Sequence, residues 1–150
     1  MKFIITLIAV CVAIAAAGEI WEGKVYKNYE SVNFNDYMKE LGVGWFLRSV
    51  GNSVSPTVEL RKMDGNKYKL ITKSTFKDTE LNFELGKEFD EVTLDGRNVK
   101  SVMTLENNVL TQKQGGDPPS TIIRVFGEKE MVATMLVKDV NCTRKYKVEE

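Results

Sequence analysis

Apolar and polar side chains alternate through short segments that recur every eight to twelve residues from residue 22 to the C-terminus. A period of two is the signature of half-buried β-strands. It predicts strands at 22–29, 57–63, 67–73, 79–84, 88–94, 98–105, 109–114, 120–126, 130–137 and 141–148. Between them stand residues that tolerate tight hairpin backbone: Asp64-Gly65, Asp95-Gly96, Asn107-Asn108, Gly115-Gly116-Asp117 with Pro118-Pro119, Gly127-Glu128 and Lys138-Asp139. Many short strands joined by short turns make a mostly β, antiparallel barrel or sandwich. The period changes once. Between Ser31 and Asn52, Phe34, Tyr37, Met38 and Leu41 recur at three- and four-residue spacing, which predicts a helix capped by Ser31 or Asn33. Gly42 and Gly44 interrupt it, and a second short helix carries Trp45, Phe46 and Val50 before Gly51-Asn52. The aromatic stripe of this insert suits either core packing or a lid over a cavity.

Alternation also assigns faces. On the last strand Cys142, Arg144 and Tyr146 share one side, and Asn141, Thr143, Lys145 and Lys147 the other. The first set reads as interior, and so does the face shared by Ile122, Arg124 and Phe126. Two inward arginines need something anionic or a polar cavity opposite them, because an uncompensated buried charge costs several kcal/mol.

Composition narrows the rest. The first residues have the pattern of a secretory signal: Lys2, an apolar run from Phe3 to Ala17 broken only by Thr6, and an A-x-A ending at Ala15-Ala16-Ala17. This predicts a leader of 1–17, a mature domain of 18–150, and secretion. This run of fifteen residues falls short of the roughly 20 that a membrane span needs. Twenty-one basic residues balance 21 acidic ones, so no charge field advertises nucleic acid. Cys11 departs with the leader, which leaves Cys142 alone and excludes an internal disulfide in the mature domain.

The chain contains no histidine, the commonest general base and metal ligand. It has no phosphate loop and no C-x-x-C pair, and Gly51-Asn52-Ser53-Val54 fails as a nucleophile elbow at its last glycine position. Glu59, Glu80 and Glu84 read as ordinary surface charges. A non-enzyme is expected, with neither metal nor cofactor. Cys142 reads as a small buried filler, although the cation of Arg144 favours a thiolate. Asn141-Cys142-Thr143 is an N-x-[ST] glycosylation acceptor with its asparagine on the outer face, close to a turn.

The chain resembles the intracellular lipid-binding proteins, which include fatty-acid-binding and cellular retinoid-binding proteins. The resemblance is carried by five blocks in order: Asn33 to Gly44, Ser74 to Phe83, Gly86 to Glu91, Asp95 to Ser101, and Cys142 to Tyr146. It implies a ten-stranded antiparallel up-and-down β-barrel, a β-clam, capped by a two-helix lid around a cavity for one long-chain fatty acid or retinoid. It further implies a ligand carboxylate held by Arg144 and Tyr146 with Arg124 as helper, a chemically apt choice because guanidinium presents a planar fork of donors. Phe34, Tyr37 and Met38 match lid positions that face the cavity, and Phe76 matches a portal phenylalanine. Met131, Ala133 and Met135 are candidates to line an acyl chain or to fill core, with Met135 taken as ligand-binding. Arg97 and Pro56 match rim positions expected to be structural.

Carriers of retinol in this family tend to replace the arginines with amides, so Arg124 and Arg144 imply an acid: a long-chain fatty acid, with retinoic acid or another hydrophobic signalling acid as the alternative. The implied protein is a monomer, with the helical lid as the candidate for transient membrane contact. Gln114 stands where the family often has tryptophan, the 115–119 turn is unusual, and the leader departs from a mostly cytosolic family.

Overall fold

The structure, a computed structural model, describes residues 18–150; the predicted leader lies outside them. Its ten strands are β1 (Tyr26–Val32), β2 (Thr57–Lys62), β3 (Lys67–Lys73), β4 (Thr79–Glu84), β5 (Phe89–Val92), β6 (Asn98–Glu106), β7 (Val109–Gln114), β8 (Ser120–Phe126), β9 (Glu130–Val137) and β10 (Val140–Val148). Helices α1 (Phe34–Glu40) and α2 (Trp45–Ser53) fill the connection between β1 and β2. All neighbouring strands are antiparallel, in the order β4-β3-β2-β1-β10-β9-β8-β7-β6-β5. The result is a nearly closed barrel of the expected up-and-down kind. The ends of the sheet, β4 and β5, share no ladder. Phe83 of β4 stacks on Phe89 of β5 at 5.9 Å between ring centres, so side chains cover the seam where backbone pairing stops.

Two clusters hold the barrel together. The larger is built around Trp21, Tyr26, Leu60, Leu70, Met103, Leu110, Phe126 and Met131. Its rings meet both edge-on, as Tyr26 against Phe126 at 5.4 Å, and stacked, as Tyr68 on Phe83 at 6.0 Å. The smaller gathers Tyr37 and Met38 of α1 and its C-cap Leu41 onto Val137 and Cys142, with Leu47 of α2 against it. Met131 and Ala133 belong to the first cluster, which resolves their open assignment as core.

Helix α1 ends as the sequence predicts. Gly42 takes φ +85°, its N–H bonds to the carbonyl of Lys39, and the N–H of Val43 bonds to that of Met38, a Schellman ending only glycine adopts without strain. Its start differs from expectation. Ser31 lies within β1, and Asn33 holds the cap position without a side-chain cap, donating instead to the Asn141 carbonyl at 3.2 Å. Helix α2 packs closely because Gly51 has no side chain: a Cβ there would lie 2.8 Å from Met38 Sδ. None of its residues is buried, and Trp45 and Phe46 are 73% and 63% exposed.

The first strand is the one element displaced from prediction. Residues 20–23 form a turn, with Gly23 at φ +71°, which tucks Trp21 under the barrel before β1 begins at Tyr26. At its other end β1 runs on to Val32, past a register shift between Asn28 and Glu30, and pairs Ser31 with Arg144.

Candidate functional site

Beneath the helices the barrel encloses a cavity of about 200 Å³. Its wall is mainly apolar and is supplied by both helices and most strands. From the lid, Phe34, Tyr37 and Met38 face it; from the β3–β4 connection, Phe76; from β9, Met135. Arg124 of β8 and Arg144 and Tyr146 of β10 border it from the barrel wall. The eight residues that resemblance nominated therefore border one space. Pro56 and Arg97 border it as well, with Arg97 tied to Asp95 at 2.7 Å.

The two arginines are held differently. Arg144 is 6% exposed. Its Nε donates to Ser31 Oγ at 2.9 Å and its Nη2 to Asn28 Oδ1 at 3.1 Å, and the guanidinium lies 3.9 Å from the centre of the Phe34 ring. Asn28 is the residue at the β1 register shift, and its amide donates to the carbonyls of Glu30 and Lys145. The irregular backbone thus fixes the acceptor that fixes the cation. Arg124 uses one N–H, from Nη1, to reach Gln112 Oε1 at 2.8 Å. A guanidinium has five N–H groups, so both arginines keep donors for a further anion. Burial lowers the pKa of Arg124, with the nearby Tyr146, Glu91 and Tyr37 opposing that shift, and the group stays a cation.

Tyr146 is 5% exposed and borders the cavity. Tyr37 is a neutral phenol: burial raises its pKa, partly offset by Ser120 and by the Arg97 and Arg124 cations. Burial also pushes the Cys142 thiol up to about 11, outweighing Arg144. The inert filler is therefore right and the thiolate is not. Glu59, Glu80 and Glu84 lie at the surface beside Arg61, Lys69 and Lys87 as expected.

Sequence reasoning missed Glu91. It lies 4% exposed on the cavity wall, hydrogen-bonded to Ser101, Gln112 and Gln114. Its signal was available: Phe89, Glu91 and Thr93 alternate onto one face of the predicted strand. Gln114, the departure from the usual tryptophan, belongs to this same polar cluster and accepts from Ser120 Oγ at 2.7 Å.

Comparison with known proteins gives a consistent answer. The profile of the Lipocalin / cytosolic fatty-acid binding protein family matches residues 22–149. A muscle fatty acid-binding protein of Schistocerca gregaria is 46% identical over 128 residues, covering 85% of this chain and 96% of that protein. A crystal structure of the fatty acid-binding protein in brain tissue of Drosophila melanogaster superposes with a TM-score of 0.80 at 54% identity, over 85% of this chain and 98% of that one. A Schistosoma mansoni fatty acid binding protein, solved in complex with arachidonic acid, gives 0.80 at 43%, over 84% and 94%.

Proposed function

Because the chain belongs to the Lipocalin / cytosolic fatty-acid binding protein family, we propose that it carries one long-chain fatty acid in the barrel cavity, its carboxylate held by Arg124, Arg144 and Tyr146. The observation that carries this reading is the pair of arginines with unused donors inside a mainly apolar wall. A carboxylate satisfies both cations with charge-assisted hydrogen bonds and accepts one more from the tyrosine, while the tail meets Met38, Phe76 and Met135. The solved relative that holds arachidonic acid supports the same class of ligand.

The cavity of about 200 Å³ is smaller than the roughly 300–1,000 Å³ typical of ligand pockets. We expect the helices and the Phe76 loop, which both border the cavity, to move outward as the ligand enters. A disulfide tying α2 to that loop is expected to slow association, and an unchanged association rate overturns this route. Native mass spectrometry of the purified protein tests the ligand itself. A co-purified mass of a long-chain fatty acid is expected; a retinoid mass transfers the reading to the alternative acid, and a ligand without an acid group ends it.

Secretion is part of the same proposal, resting on the leader pattern at 1–17. Expression in a eukaryotic secretory host is expected to yield medium protein beginning at Gly18. A glycosidase mass shift there reports whether the exposed Asn141 carries a glycan. Retention of the unprocessed chain inside the cell sinks this part.

A further inference from the structure

The cavity holds an anion that carboxylate binding does not use. Glu91 Oε1 accepts from Ser101 Oγ at 3.0 Å and from Gln112 Nε2 at 2.6 Å, and Oε2 accepts from Gln114 Nε2 at 2.7 Å. Every partner donates, which is the pattern that satisfies a carboxylate. Among the described residues no lysine or arginine forms a salt bridge with it. A buried carboxylate without a cation is costly, so its compensation has to come from further off. The structure supplies it through one amide: Gln112 donates to Glu91 and accepts from Arg124.

The cavity wall can then be counted. Its charged side chains are Arg97, Arg124 and Arg144 against Glu91 and Asp95, three positive and two negative, a net charge of +1. Asp95 and Arg97 neutralise each other directly. Glu91 offsets Arg124 through Gln112, and one positive charge remains for the ligand. We propose that Glu91 is a specificity-determining residue that fixes the cavity at a single net positive charge, so that it accepts singly charged amphiphiles and rejects doubly charged ones. One negative headgroup brings the wall to neutrality. A second negative charge finds no free cation and meets the charge of Glu91 in the same cavity. This inference rests on the fatty-acid reading.

Dodecyl sulfate and dodecyl phosphate share a chain and a tetrahedral headgroup, and at about pH 8 they differ by nearly one charge, because the second phosphate pKa is near 6. Each is titrated at micromolar concentration against a bound fluorescent fatty acid, with laurate alongside. For the wild-type protein we expect sulfate to bind at least about ten-fold tighter than phosphate. Glu91→Gln is expected to bring the two within about three-fold, and Glu91→Asp, which keeps the charge, to retain the wild-type ratio. A purely structural Glu91 would change stability and leave the ratio alone. Equal wild-type affinities overturn the inference, and so does a folded Glu91→Gln protein with an unchanged ratio; the wild-type arm decides without any variant. If laurate fails to bind the wild type, the fatty-acid reading falls and takes this inference with it. Laurate binding with equal sulfate and phosphate affinities removes this inference alone.

Discussion

The floor of the barrel and the space under its lid are lined by the same strands with the same alternation, yet one is solid and the other open. At the floor the inward residues are large and mutually complementary: Trp21, Tyr26, Leu60 and Phe126 are at most 2% exposed. Under the lid the inward positions of β5, β7, β8 and β10 include Glu91, Gln112, Arg124 and Arg144, which hydrogen-bond rather than interdigitate. Apolar complementarity fills space, whereas polar groups that must each reach a partner leave space between the networks. Stability and recognition are thus assigned to different halves of one sheet.

Substitutions test that division, and the largest effect is expected at the floor. Phe126→Ala removes a ring packed edge-on to Tyr26 and should cost about 3–5 kcal/mol in urea unfolding, with affinity unchanged in the folded fraction. A loss of affinity comparable to the loss of stability would erase the distinction. Next comes Arg144→Ala, expected to weaken fatty-acid binding roughly a hundred-fold, about 2.7 kcal/mol, while lowering stability far less than the floor variant does. Retained binding here removes the carboxylate site. Tyr146→Phe deletes one hydroxyl donor and should cost about five-fold in affinity, on the order of 1 kcal/mol, by the same displacement titration. The smallest stability effect belongs to the exposed pair: Trp45→Ala with Phe46→Ala should stay within about 0.5 kcal/mol. That double variant is nonetheless expected to slow transfer of ligand from vesicles, and an unchanged transfer rate withdraws the lid as a membrane contact.

Most of the fold was legible in the chain because alternation and turn residues agree along it. Strands β2 to β10 fall within a few residues of prediction, and the helical insert was visible as a change of period. The first strand was not. Trp21 lies just ahead of the predicted strand, and the turn at 20–23 makes it a plug beneath the barrel, a tertiary role that periodicity does not encode. The site divides in the same way. Arg124 and Arg144 stood out because cations on an inward face demand a partner. Glu91 escaped notice because a glutamate in a charged stretch defaults to the surface, and only strand pairing brings Gln112 and Gln114 to it. Asn28 was equally silent, since its role depends on a register shift that no local signal announces.

The pairing of β1 with β10 has a consequence for how the molecule comes to exist. β1 meets β2 through two residue pairs but meets β10 through six, and Ser31 is separated from its partner Arg144 by 113 positions. During synthesis the opening strand therefore has little to hold it until the closing strand has left the ribosome. That closing strand brings Arg144 and Tyr146 with it. Completion of the sheet and assembly of the carboxylate site are then a single late event, so a nascent chain that stops short of β10 is expected neither to close nor to bind.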